Sequence, residues 1–184
     1  MGTDLAELEL LVNNVLVSGR LDAIASGNGT VPVQSRHIDL NEFFAVVTER
    51  FTRHHSEHPL DKQIETELPD ASLDPVLINR VCDNLLENAI KYSAPGSSIT
   101  LKASSEENLL RVEVVDSGEG VAEQDLPRLF DPFFRGDRSR SRQTGGTGLG
   151  LTLCKRIIEA HNGKISAQLN AGKGMSFRFE LPIS

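Results

Sequence analysis

Apolar positions recur every three or four residues along much of this chain and every second residue in a few short stretches. Leu5, Leu8, Val12 and Val15 step by three, four and three. That is a short heptad seam, and it predicts a bundle or coiled-coil helix from Asp4 to about Ala25 that begins mid-helix. Ser26–Val33 (SGNGTVPV) is a linker by composition. Arg36–Leu40 then predicts a short strand, and Asp39 or Asn41 a cap for a helix with Phe43, Phe44, Val47 and Phe51 on its apolar side. Lys62–Leu68 alternates as a half-covered strand does. Asp74-Pro75 supplies an N-cap and a first-turn proline for a helix to about Tyr92, with Leu77, Val81, Leu85 and Ala89 as its core stripe.

Beyond Tyr92 the period-two stretches dominate. Ser98–Ala103 and Leu109–Val115 predict strands joined by the polar turn Ser104–Asn108, and a short helix is expected around Glu123–Leu129. Arg135–Thr144 is polar, rich in Arg and Ser, and expected to be mobile. Leu149–Asn162 predicts a helix ended by Gly163 in the left-handed conformation, and Lys164–Asn170 and Met175–Leu181 a closing hairpin. Helices mixed with adjacent hairpin strands imply an α+β fold: a two-layer α/β sandwich, with a mixed sheet covered by helices on one face and an N-terminal helical stub. The expected division is 1–30 for the stub and linker and 31–184 for the domain.

Composition narrows the function. Of the 184 residues, 39% are hydrophobic and 24% charged, as in soluble globular proteins, and no apolar run approaches the roughly 18 residues of a membrane span. The net charge of −7 and an isoelectric point near 5.2 argue against gripping a nucleic acid, since the one basic cluster, Arg135–Arg142, is too local. Cys82 and Cys154 fall in helical stretches without metal-ligand spacing, which fits buried, inert thiols in a reducing compartment.

Four stretches can carry chemistry. Asn84, Asn88 and Lys91 sit at i, i+4 and i+7 on one helix face, where amides can meet a hard cation or a phosphate and the lysine adds charge. Taken alone, they read more readily as a solvated helix face, since such faces are common. Asp116-Ser117-Gly118-Glu119-Gly120 follows an apolar strand, so its carboxylate could accept from an exocyclic amine, although an acidic turn has the same composition. Gly145-Gly146-Thr147-Gly148-Leu149-Gly150 opens a helix and offers backbone N–H groups to phosphates, with neither P-loop nor dinucleotide-fingerprint spacing. Gly172-Lys173-Gly174-Met175-Ser176-Phe177 is, by itself, an ordinary hairpin turn.

In this order and spacing the four resemble the N, G1, G2 and G3 boxes of the sensor histidine kinases, within the Bergerat-fold superfamily that includes gyrase. Phe130-Asp131-Pro132-Phe133-Phe134-Arg135 resembles the kinase F box. The resemblance runs from about Arg36 to Leu181, and the N-terminal stretch, with Arg20-Leu21-Asp22, is similar to the second dimerisation helix. It implies ATP and Mg²⁺ as cofactors, with Asn88 on the metal and Asn84 supporting it. Lys91 and Arg135 would contact phosphates, and Asn88, Lys91 and Arg135 together would be the catalytic set. Tyr92 and Phe130 would pack near the nucleotide. Asp116 would accept from the adenine amine, joined by Ser176 through a water, with Gly118 and Gly120 shaping the pocket. Gly146, Thr147, Gly148, Leu149 and Gly150 would present backbone to the phosphates under a lid of about Asp131–Gly145.

The same resemblance implies γ-phosphoryl transfer to a histidine on a dimerisation helix, for relay to a response regulator. The ATP-hydrolysing relatives place a glutamate where this chain has Asn84. An amide takes no proton, so transfer is favoured over hydrolysis, and Glu87 is expected to point elsewhere. His37, His54, His55, His58 and His161 all lack the acceptor's acidic and proline context. His55 and His58 read as a solvated loop rather than a metal pair, and His161 as a favourable charge at a helix C-terminus. The expectation is a monomeric, cytoplasmic catalytic fragment without its acceptor, from a homodimeric parent anchored at the inner membrane. An anti-sigma-type serine kinase of the same fold and a non-catalytic nucleotide-binding module are the alternatives.

Overall fold

The structure, a computed structural model, describes residues 31–134 and 148–183. The N-terminal heptad seam, the linker to Thr30 and the Arg/Ser-rich stretch lie outside the described residues. The order is β1 (Arg36–Asp39), α1 (Leu40–His54), β2 (Leu60–Ile64), β3 (Asp70–Leu73), α2 (Pro75–Tyr92), β4 (Ile99–Glu106) and β5 (Leu109–Val115). A 3₁₀ turn (Glu123–Arg128) follows, then α3 (Gly150–Ala160), β6 (Lys164–Leu169) and β7 (Met175–Pro182).

Local chemistry sets the helix starts. Asp39 caps α1 by accepting from Asn41 N at 2.7 Å and Glu42 N at 3.2 Å. Asp74 does the same for α2, accepting from Val76 N and Leu77 N, with Pro75 fixing the first turn. Helix α3 has no side-chain cap and begins at a glycine, which leaves its first N–H groups for another acceptor.

Five strands form one mixed sheet in the order β2-β4-β5-β7-β6, parallel only between β2 and β4. Strand alternation separates its two faces. Ile99, Leu101, Leu110, Val112, Val114, Phe177, Phe179 and Leu181 are buried with the apolar stripes of the helices. Each large side chain sealed there contributes about 1.5–3 kcal/mol. The other face carries charge in cross-strand register: Glu113 lies between Lys102 and Arg178 at 3.3 and 3.0 Å, and Arg111 bonds Glu180 at 2.9 Å. The α+β sandwich is therefore present as expected.

Several boundaries differ from the sequence expectation. β3 was not anticipated. It has only four residues and pairs antiparallel with β1 in a separate two-stranded sheet. β2 starts at Leu60 and stops at Ile64, because pairing with β4 fixes its span. Leu68 is instead held by the Asn41 side chain, which donates to its carbonyl at 2.8 Å and accepts from its N–H at 3.1 Å. β4 continues to Glu106, so the turn shrinks to Glu107-Asn108, both at positive φ, as a two-residue hairpin requires.

Gly163 is not the left-handed residue. Asn162 is, at φ 59°, and the N–H groups of Asn162 and Gly163 close on Glu159 O and Ile158 O, a complete Schellman motif. Gly163 is needed for space, since a Cβ there would lie 2.6 Å from Leu181 Cδ2. His161 is not a charge on the helix dipole either. Its Nδ1 lies 2.7 Å from Ile157 O and must donate, while its Nε2 accepts from Asp74 N at 3.1 Å. With one nitrogen donating and the other accepting, the ring is neutral, and it pins the end of α3 to the start of α2.

Candidate nucleotide site

The site lies where β5, α2, the start of α3 and the β6–β7 hairpin meet. At one end is Asp116, which is buried. It directly follows β5 and, by alternation from Val114, faces the helices. Its Oδ1 accepts from Gly118 N at 2.8 Å and Met175 N at 3.2 Å. Among the described residues no bond is made to Oδ2, so one carboxylate oxygen is left to meet a donor. Burial raises its pKa against the lowering effect of those two N–H bonds, so a ligand N–H would relieve an ion held in poor solvent.

Glycine makes this end possible. A Cβ on Gly118 would run into the Tyr92 carbonyl and lie 2.9 Å from Asp116 Oδ1. A Cβ on Gly174 would be driven onto the Asp116 carbonyl, where the hairpin presses against β5. Gly120 turns at φ 72° beside Leu169 and Met175.

The other end is built from α2 and α3. Asn84, Asn88 and Lys91 share a face of α2, and the Lys91 ammonium stands 5.2 Å from the ring of exposed Tyr92. Asn84 meets the beginning of α3: its Oδ1 lies 3.4 Å from where a Cβ on Gly150 would be. Its Nδ2 is buried without a hydrogen bond, and the Cys154 sulfur beside it is a poor acceptor. A buried amide N–H without a partner costs about 1–3 kcal/mol, so Asn84 and the uncapped start of α3 are prepared for an anionic oxygen. Glu87 is exposed, and Asp83, the carboxylate adjacent to Asn84, is engaged by Arg50 and Asn79.

Leu149 is buried, Gly150 and Phe130 are half-buried, and Phe130 packs against the core. The F-box and Gly-rich stretches meet where Phe133 N donates to Gly148 O at 3.2 Å, both residues at positive φ. Phe133 is 60% exposed, and the Arg128 guanidinium stacks 4.5 Å from the Phe134 ring. Arg135, Gly146 and Thr147 lie outside the described residues.

Ser176 is not where the sequence expectation puts it. It alternates with Arg178 and Glu180 on the face away from the helices, and its hydroxyl donates to Asn170 Oδ1 at 2.6 Å. Met175 faces the site at that level, with its N–H on Asp116. Sequence reasoning missed both Met175 and Asn170. The alternation Met175, Phe177, Phe179, Leu181 was the available signal for Met175.

Elsewhere the chemistry is inert. Both cysteines are fully buried, which pushes the Cys154 thiol up to about 12 and Cys82 higher still. His54 and His58 each direct Nδ1 at a backbone carbonyl, and His55 stacks on Phe51. Among the described residues no group of three His, Cys, Asp or Glu could hold a metal, and no helix is long and apolar enough to cross a membrane.

The family described as histidine kinase-, DNA gyrase B-, and HSP90-like ATPases matches residues 73–184. Among curated proteins, the sensor histidine kinase WalK of Bacillus subtilis is 37% identical over 151 residues, covering 79% of this chain and 24% of WalK. Full-length ShkA in complex with AMPPNP superposes with a TM-score of 0.73 at 27% identity, over 97% of this chain and 36% of ShkA. ThkA in complex with the response regulator TrrA gives 0.72 at 25% identity, over 100% of this chain and 49% of ThkA. The chain spans between about a fifth and a third of the length of the curated relatives it matches.

Proposed function

The chain belongs to the family of histidine kinase-, DNA gyrase B- and HSP90-like ATPases, and on that premise we propose that residues 31–184 are the ATP-binding catalytic domain of a sensor histidine kinase. The domain transfers the γ-phosphoryl group of ATP to a histidine on a dimerisation helix, for relay to a response regulator. The observation that carries this reading is the buried amide of Asn84 at the glycine start of α3. That position has hydrogen-bond donors for a phosphate and no group that can take a proton from water, so the site favours transfer over hydrolysis.

Adenine enters with its amine toward Asp116 Oδ2, between Gly118 and Met175. The triphosphate runs toward Asn84, Asn88, Lys91 and the N–H groups at the start of α3, which has no side-chain cap. Arg135, Gly146 and Thr147 supply further contacts to the phosphates, and Phe130 packs near the nucleotide. Mg²⁺ would be held by the Asn88 amide oxygen, with Asn84 behind it, and would take its remaining ligands from the substrate's phosphates and water. When bound it neutralises the charge that builds during transfer. Lys91 adds positive charge at the same end, and the protein's part is positioning and electrostatics. ATP places the site on the cytoplasmic side, and we place the parent as a homodimer anchored at the inner membrane.

The test has two arms. Calorimetry with a non-hydrolysable ATP analogue should show binding that strengthens with Mg²⁺ and weakens in Asn88→Ala. Incubation with ATP and a histidine-bearing dimerisation domain supplied in trans should then give an acid-labile phosphoprotein. An acid-stable label would make the chain a serine kinase. Binding without transfer to any acceptor would reduce it to a nucleotide-binding module.

A further inference from the structure

Asn170, just past the end of β6, touches the base end of the site without facing the ligand, and its backbone N–H and both atoms of its side-chain amide have partners. Its backbone N–H donates to Gly174 O at 3.0 Å and closes the hairpin. Its Nδ2 donates to the carbonyl oxygen of Asp116 at 3.1 Å, and its Oδ1 accepts from the Ser176 hydroxyl. The amide orientation is set by chemistry: reversed, it would press one acceptor against the Asp116 carbonyl, whereas a hydroxyl can serve either way. The other bonds to Asp116 come from backbone, with Asp116 N donating to Met175 O at 2.9 Å and Oδ1 accepting from Gly118 and Met175.

We propose that Asn170 is a positioning residue which sets the angle of the Asp116 carboxylate and thereby selects a 6-amino purine. The inference rests on Asp116 being the adenine acceptor. The Asn170 bond restrains the peptide plane between Asp116 and Ser117. One residue on, in the next peptide plane, the Gly118 N–H steers Oδ1 and so aims Oδ2. Hydrogen bonds weaken steeply as their angle closes, so a few degrees of rotation in this plane tell most on the amine contact. Asn170 lies on the far side of the β5–β7 junction from the ligand and acts only through Asp116.

Inosine nucleotides isolate the effect, because they carry an oxo group where adenine has its amine and would set acceptor against acceptor at Asp116. Calorimetry with ADP and IDP on the whole chain compares wild type, Asn170→Ala, Asn170→Asp and Val47→Ala. The aspartate variant keeps an acceptor for Ser176 but loses the donor to Asp116. Val47 is a buried α1 residue remote from the site, so its truncation loosens the fold alone. Wild type should prefer ADP. Both Asn170 variants should cut the ADP-to-IDP preference about tenfold, while Val47→Ala lowers the melting temperature with the preference intact. An unchanged preference in either Asn170 variant, or an equal loss in Val47→Ala, overturns the role of Asn170 and leaves the Asp116 assignment standing. Wild type binding ADP and IDP alike, or neither, overturns the Asp116 assignment and this inference with it.

Discussion

Gly172 and Gly174 sit two residues apart in the same hairpin, both with left-handed backbone, at φ 111° and 92°. Alanine at either position costs roughly 1–2 kcal/mol for that conformation alone. The surroundings differ. A Cβ on Gly172 meets nothing within 4 Å. A Cβ on Gly174 would strike the Asp116 carbonyl oxygen and lie 2.7 Å from its carbon and 2.8 Å from Ser117 Cα, where ordinary contact begins at 3.4 Å. The partner is backbone and cannot rotate away, so hairpin and loop must separate. That movement strains the bonds between Asp116 and Met175 and the Asn170–Asp116 bond. Losing two of them at about 0.5–1.5 kcal/mol each brings the Gly174→Ala cost to about 2–5 kcal/mol.

For a domain of this size that corresponds to a fall in melting temperature of roughly 4–20 °C, against a few degrees for Gly172→Ala. Differential scanning calorimetry on the two variants, with ADP titrations at a temperature where both are folded, measures the contrast. Gly174→Ala should also lose ADP affinity, since its damage falls on the Asp116 support, and Gly172→Ala should bind as wild type. If the two variants melt together, the close approach is not a stability determinant and the steric reasoning fails.

The carboxyls of buried Asp116 and half-buried Asp83 are both raised, chiefly by desolvation, so the folded chain binds their protons more tightly than the unfolded one. Their contribution to stability is therefore largest at low pH and declines as pH rises from about the ordinary 3.8 through the raised values. Asp116→Asn should flatten that decline in a denaturation series across pH, and calorimetry should show its ADP affinity collapsing. Asp74→Ala removes the α2 cap and the acceptor for Gln34 N at 2.8 Å. It should cost about 2–3 kcal/mol in urea unfolding, whereas Asp74→Asn, which keeps the cap, should lose less than half of that. His161→Leu leaves the Asp74 N–H buried without its acceptor, and should cost about 1–3 kcal/mol by the same method.

What the sequence disclosed depended on the reach of each signal. The start of α2 is written in two adjacent residues, Asp74 and Pro75, and its end in the loss of apolar periodicity after Tyr92, so both boundaries were legible. β3 was not, because four residues after a proline carry too little alternation and its partner, β1, lies 34 positions upstream. Gly163 shows the limit of reading a residue type for one of its uses: it is a glycine for want of space, while Asn162 takes the left-handed turn. Ser176 and Met175 differ by one position, and only the register of β7 against β5 decides which of them faces the helices. The polar ladder Asn84, Asn88, Lys91 was legible as a face, but its meeting with Gly150 is a tertiary fact that no local pattern carries.

Helices α2 and α3 are pinned to each other through His161 and Asp74, at the end remote from the Gly-rich stretch. From that pin to Gly150, α3 is a rod of eleven residues, about 16 Å at 1.5 Å per residue. A tilt of about 5° about the pin carries the free tip through about 1.4 Å, roughly half the length of a hydrogen bond. The two helices are thus levers about a shared pin. A rotation of that size at the His161 end would carry the Gly150 tip, which meets Asn84, through a distance that decides whether a hydrogen bond there is made.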